Sequence, residues 1–235
     1  MPSCDPGAGS LRISRCSIAN VTVDCRISGC GLVPVVQPPT ASLAAQVGAT
    51  LVEAGLPCIE ITFRVEGAPG AIERIRAEVP AMLVGAGTVL TVAQGRAAID
   101  AGAQFLVSPG TNADVVELAL REGVPIYPGV ATPTEIEANL ARGLEVMKLF
   151  PAEVVGGVRF LKAMFGPYRS VRFMPTGGID PSNLGAYLAL PNVIACGGTW
   201  IAPPDVVAAG NLAAIAQRAR DAAGIVRSTR AAASR

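Results

Sequence analysis

One repeated unit leaves few folds open to this chain. An alanine-rich stretch with scattered charges ends in glycine, a short gap follows, and an apolar run rich in β-branched residues begins. The unit is visible in "VEAGLPCIEI" (52–61), "IDAGAQFLVS" (99–108), "LREGVPIYPG" (120–129) and "LARGLEVMKL" (140–149). Glycine just past a helix suits the left-handed C-terminal cap. An apolar run without polar alternation suits a strand buried on both faces, as in a parallel sheet. Eight such runs occur, at 32–36, 58–64, 82–89, 104–110, 124–130, 145–151, 171–179 and 193–201, starting 20 to 26 residues apart. Helix-like segments lie between them, among them 41–54, 68–78, 93–101 and 113–122. Eight strand–helix units in one chain of this length predict an α/β fold of the (β/α)8 TIM-barrel type, in a single domain over 32–227. A doubly wound open sheet is the alternative, because local pattern does not encode closure.

The ends depart from the repeat. Residues 1–31 hold four of the six cysteines and show no helical period; "NVTVDCRI" (20–27) alternates as a strand would. This segment reads as a leader or a cap of open structure, and 228–235, "STRAAASR", as a flexible tail.

Composition removes several kinds of chemistry. The chain has no histidine, which excludes Ser-His-Asp and Cys-His triads, histidine bases and most catalytic zinc sites. Its six cysteines include no C-x-x-C pair and read as free thiols. A net charge of +1 with scattered signs gives no electrostatic basis for binding nucleic acid or an acidic membrane. No apolar run approaches the roughly 20 residues of a membrane span, and the N-terminus lacks the apolar core of a signal peptide. The expectation is a cytoplasmic protein that uses neither nucleic acid nor membrane.

In a barrel the active site lies at the C-terminal ends of the strands. In "CIEITFR" (58–64), alternation places Glu60, Thr62 and Arg64 on one face, toward the barrel interior. They read as site residues or equally as a structural Glu–Arg pair. In "VGAGTVL" (84–90), Thr88 follows small residues that allow a close backbone approach, or simply a tight turn into a helix capped by Thr91. The Pro-Gly pairs that end the next two runs suit turns.

The run "EVMKLFP" (145–151) holds Lys148. Of 19 cationic residues only Lys148 and Lys162 are lysine. A strand buried on both faces gives a lysine no route to solvent, and burial in general disfavours a charged amine. A neutral amine is a nucleophile that forms Schiff bases with carbonyls. The competing reading is an ion pair with Glu60, which arginine would serve at least as well. Lys162, in "VRFLKAMFG" (158–166), reads as a surface lysine that snorkels. The last two runs carry "PTGGI" (175–179) and "CGGTW" (196–200). Paired glycines free backbone N–H groups for an anion, and the loops after strands seven and eight commonly hold phosphate in barrels. Tight turns need glycine as well. Taken together, these residues suggest acid–base chemistry on a phosphorylated keto acid, through an imine.

The segments "EAGLPCIEITFR", "VGAGTVL", "AGAQFLVSPG", "MKLFPAEVVGGVRFLKA", "VRFMPTGGI" and "CGGTWIAP" resemble the 2-dehydro-3-deoxy-6-phosphogluconate (KDPG) aldolases. That family overlaps in activity with the 4-hydroxy-2-oxoglutarate aldolases. The resemblance runs in order from about residue 32 to 223. It implies a metal-independent class I aldolase, a carbon–carbon lyase without cofactor, assembled as a homotrimer and acting on a small phosphorylated keto acid. By resemblance Lys148 is the Schiff-base lysine, Glu60 the general acid/base and Arg64 the partner of the pyruvyl carboxylate. Thr88, Thr176, Pro109 and Phe150 line the pyruvate pocket. Gly177, Gly178, Gly197, Gly198 and Thr199 take the phosphate.

Two places depart from the family pattern, Gln37-Pro38-Pro39 at the end of the first run and Val65 after Arg64. Both are expected to bear on substrate choice. Preference for 4-hydroxy-2-oxoglutarate or for the galactonate epimer is one alternative. A non-catalytic phosphosugar-binding barrel, with Lys148 as a structural ion-pair partner, is another.

Overall fold

The structure, a computed structural model, describes residues 18–233. After α1 (Ile18–Cys30), helices and strands alternate: β1 (Leu32–Val36), α2 (Ala41–Glu53), β2 (Cys58–Thr62), α3 (Ala68–Glu78), β3 (Leu83–Gly87), α4 (Val92–Asp100), β4 (Phe105–Val107) and α5 (Ala113–Glu122). Two short strands, β5 (Ile126–Tyr127) and β6 (Gly129–Val130), precede α6 (Pro133–Leu140), β7 (Val146–Leu149) and α7 (Gly157–Phe165). The chain continues through β8 (Arg172–Phe173), α8 (Leu184–Leu188), β9 (Cys196–Gly198), α9 (Pro204–Ala208) and α10 (Leu212–Ala233).

Local chemistry accounts for the boundaries. Thr40, Thr91, Asn112 and Thr132 cap helix N-termini with side-chain oxygens that accept from the first turn. At the other ends Gly55, Gly102, Gly123 and Gly143 have φ between 68° and 89°, the left-handed conformation expected of the repeat. The strands between are largely buried; in β1, β2 and β3 every residue is buried.

All strand pairings are parallel. They form a curled α/β sheet in two groups, ordered β5-β4-β3-β2-β1-β9 and β6-β7-β8. Two isolated parallel bridges, Phe173–Val193 and Thr176–Gly197, each join a residue of β8 or β9 to one outside the strands. The run expected as one strand over 124–130 is broken into β5 and β6. Pro128 has no N–H to give the ladder, although its carbonyl accepts the Lys148 N–H at 2.9 Å. β1 spans the whole first run, 32–36, whereas the later strands are shorter than their apolar runs, β2 ending at Thr62 rather than at Arg64.

Both termini correct the sequence reading. "NVTVDCRI" lies in helix α1 and not in a strand. Its buried residues are Val23, Ile27 and Cys30, and this i, i+4, i+7 spacing is a helical stripe that the valine-threonine alternation hides. Residues 228–233, expected as a flexible tail, continue α10. Arg230 there donates to the carbonyls of Ile194 at 2.8 Å and Gly29 at 3.3 Å, tying the helix end to α1. Cys4, Cys16 and the rest of the leader before Ile18 lie outside the described residues, as do 234–235.

Two expected results test this arrangement. Ile27 is fully buried, so Ile27→Ala should cost about 2–5 kcal/mol in urea unfolding; an unchanged midpoint would make α1 an appendage. Among the described residues Cys25 is exposed and Cys30, Cys58 and Cys196 are buried free thiols. Burial pushes the Cys30 thiol up to about 11 and those of Cys58 and Cys196 well above their usual range. Since the thiolate is the reactive form, iodoacetamide at pH 8 should alkylate Cys25 in the native protein and leave those three unmodified in peptide maps.

Candidate active site

A cavity of about 120 Å³ opens at the C-terminal ends of the strands. Its walls come from β1 (Val35), the turns after β2, β3 and β4 (Arg64, Thr88, Pro109), β7 and its end (Lys148, Phe150), and the glycine-rich ends beyond β8 and at β9. Parallel packing brings these segments, far apart in sequence, around one opening.

Lys148 is 4 % exposed and Glu60 1 %. Lys148 Nζ lies 3.7 Å from Glu60 Oε1, too far for a good hydrogen bond. Neither carboxylate oxygen of Glu60 has a hydrogen-bond partner among the described residues. The two charges therefore attract through space without being locked together. A carboxylate buried without hydrogen bonds is costly, and such sites are often functional. The buried hydroxyls of Thr62 and Thr176 are unpartnered too. Phe150 presents its ring to the amine, with Nζ 5.2 Å from the centroid, within reach of a cation–π attraction.

The carboxylate fits because of a missing side chain. A Cβ at Gly87 would overlap Glu60 Oε1, so the glycine of "VGAGT" that precedes Thr88 makes room for the acid. Gly197 does the same for Thr176, whose Oγ1 a Cβ there would overlap. Thr88, next to Gly87, has φ 57°, the one non-glycine residue in the left-handed region among those described. A β-branched residue there carries strain of about 1–3 kcal/mol, and such strain concentrates at functional sites.

Gly177 and Gly178 have φ 102° and 79°. Their carbonyls accept from the Glu153 N–H (3.1 Å) and Asn183 Nδ2 (2.9 Å). Neither of their own N–H groups has an acceptor among the described residues, and both residues line the cavity. Gly198 at the end of β9 and Thr199 just after it line it too, and Trp200 packs on Gly198. Arg64 is exposed at the mouth and pairs with no carboxylate among the described residues.

The structure draws together the residues that the family resemblance assigns to catalysis and binding: Lys148, Arg64, Thr88, Pro109, Phe150, Thr176, Gly177, Gly178, Gly197, Gly198 and Thr199 on the wall, with Glu60 against Lys148. Lys162 is exposed. Val35 and Ile179 also line the cavity; both are apolar strand-end residues that chemistry-seeking motifs pass over. Gln37, Pro38, Pro39 and Val65, expected to bear on substrate choice, do not line it. Among the described residues no group of three or more cysteine or acidic side chains is placed to hold a metal ion, and no helix is long and apolar enough to cross a membrane. The arrangement can support covalent chemistry: a buried amine, an adjacent carboxylate, a free guanidinium and open backbone donors.

Known proteins share this arrangement of chain. The family model for KDPG and KHG aldolases matches residues 23–218. A 2-dehydro-3-deoxy-phosphogluconate aldolase of Treponema pallidum is 48 % identical over 184 residues, 78 % of this chain and 88 % of the relative. The structure of a KDPG aldolase from Legionella pneumophila, with pyruvate captured as a covalent carbinolamine, superposes with a TM-score of 0.81 at 33 % identity, covering 84 % of this chain and 96 % of that one. The aldolase of Zymomonas mobilis with 3-phosphoglycerate gives 0.79 at 37 % identity, covering 86 % and 94 %.

Proposed function

The chain belongs to the KDPG and KHG aldolase family, and from that premise we propose that it is a Schiff-base aldolase, a lyase that cleaves KDPG to pyruvate and glyceraldehyde 3-phosphate. The observation that carries the reading is the pairing of a buried, cavity-lining lysine with a buried carboxylate 3.7 Å away that has no hydrogen-bond partner among the described residues.

The reaction follows from these groups. Lys148 Nζ attacks the C2 carbonyl and, with loss of water, forms an iminium. Glu60 takes the C4 hydroxyl proton, directly or through a water. The C3–C4 bond breaks toward the iminium, which accepts the electron pair, so no metal is required. Glyceraldehyde 3-phosphate leaves, C3 of the enamine takes a proton, and hydrolysis frees pyruvate and the amine. The Phe150 face favours the cationic intermediate, Arg64 binds the substrate carboxylate, and Thr88, Pro109 and Thr176 enclose the pyruvyl carbons. The free N–H groups at Gly177 and Gly178, with Gly197, Gly198 and Thr199 opposite, form the phosphate cradle.

The same reading includes a closed (β/α)8 barrel in the single domain 32–227. β5 and β6 act as one strand interrupted at Pro128, and the Phe173–Val193 and Thr176–Gly197 bridges join the β8 side to β9. It includes a homotrimer in the cytoplasm; exposed Leu90, Val92 and Val154 are apolar surface available to such an interface. Sedimentation equilibrium at three times the chain mass is the expected result, and a monomer would overturn the assembly.

Release of pyruvate from KDPG, followed through lactate dehydrogenase, tests the function against the galactonate epimer and 4-hydroxy-2-oxoglutarate. KDPG is expected to give the highest kcat/KM. A preference for either alternative would reassign the substrate and keep the imine, whereas no cleavage of any of the three would leave the phosphosugar-binding reading.

A further inference from the structure

We propose that Glu153 and Tyr187 form a positioning pair that holds the Gly177-Gly178 loop in its phosphate-accepting shape. The inference rests on the reading of that loop as a phosphate cradle.

Glu153 closes the "KLFPAE" stretch but does not line the cavity. Its place is behind the loop. The Ala152 N–H donates to Thr176 O at 2.8 Å and the Glu153 N–H to Gly177 O at 3.1 Å, joining the turn after β7 to the loop after β8. The side chain then lies across Gly178: a Cβ there would come within 2.6 Å of Glu153 Cγ and 2.7 Å of its Cβ. Its Oε1 accepts from the hydroxyl of Tyr187 on α8, a residue with no exposed surface. A Cβ at Gly157 would also press on Glu153 Oε1 and the Tyr187 hydroxyl, so glycines at 157 and 178 both make room for the pair.

On the far side Asn183 Nδ2 holds the Gly178 carbonyl at 2.9 Å, while Asn183 Oδ1 accepts from the Asp180 N–H. The loop is thus gripped from two sides by its carbonyls, and its N–H groups stay free. A carboxylate beside an anion site is electrostatically adverse. Its presence here is therefore explained by geometry, and the Tyr187 hydroxyl takes up part of its charge. Burial and the Glu153 carboxylate hold the Tyr187 phenol well above its usual range, so it remains a donor at neutral pH.

The single tryptophan, Trp200, packs on Gly198 across the cradle and is a built-in fluorescence probe. Inorganic phosphate and 3-phosphoglycerate would be titrated against the native protein, Tyr187→Phe, Glu153→Ala and Glu153→Gln, with borohydride trapping of pyruvate as a second readout. Tyr187→Phe and Glu153→Ala are expected to weaken both phosphate ligands by about tenfold, the scale of one lost hydrogen bond. Glu153→Gln keeps the acceptor and the packing, and should bind within twofold of the native protein. Trapped pyruvate should change by less than twofold in all three. Unchanged phosphate affinity, tighter binding by Glu153→Ala, or parallel loss of both readouts would overturn the pair as a positioning device, as would a native protein that binds neither ligand. An absence of trapped pyruvate with the phosphate pattern intact supports the pair and overturns the imine reading instead.

Discussion

Lys148→Arg is expected to lower kcat/KM by about 10⁴-fold or more, the scale seen when a covalent nucleophile is removed. Arginine keeps a positive charge facing Glu60 but does not give up a proton to become a nucleophile. The loss would therefore separate the chemical role of Lys148 from an ion-pair role. Urea unfolding checks that the fold survives. The native protein gives an independent measurement: borohydride with pyruvate should leave a reduced adduct on the peptide that holds Lys148. An adduct on the Lys162 peptide, or an active arginine variant, would sink the imine mechanism.

Gly87→Ala should be the second most damaging change, although glycine-to-alanine adds one methyl group. That methyl would occupy the position of Glu60 Oε1, and β3 is held in register against β2 by Glu60–Gly85 and Thr62–Gly87 pairing. The backbone has little freedom to retreat, so the carboxylate has to move away from Lys148. A drop in kcat of about 10²–10⁴-fold follows if Glu60 is the acid/base group. Glu60→Gln should lose a similar amount. The double variant should be little worse than either single one, because both remove the same correctly placed carboxylate. Additive losses would show that Gly87 acts through something other than Glu60.

These two residues illustrate what was legible. Lys148 stood out because a rare lysine inside an apolar run contradicts its surroundings, and Glu60 because alternation put it on a polar face of a buried strand. Gly87 was visible as one of two small residues beside Thr88. That its missing Cβ seats the Glu60 carboxylate was not, since the contact crosses from one strand to the next. Helix α1 is hidden in the sequence because Val21, Thr22 and Val23 favour strands locally, whereas packing of Val23, Ile27 and Cys30 on the core outweighs that preference. The continuation of α10 through 228–233 is hidden for a related reason. Nothing local in "STRAAASR" marks the reach of Arg230 to Ile194 and Gly29.

What the chain determines by itself is local: where helices stop, which runs are buried on both faces, and which residue types stand at the strand ends. Those features depend on a few neighbouring residues, on left-handed glycines and on the two-residue period of a strand. The tertiary structure alone decided which strand ends meet. The 3.7 Å approach of Lys148 to Glu60, the seat that Gly87 provides and the grip of Glu153 on the Gly178 loop all depend on parallel register between segments distant in sequence. A shift of one residue in that register would turn these side chains to the opposite face.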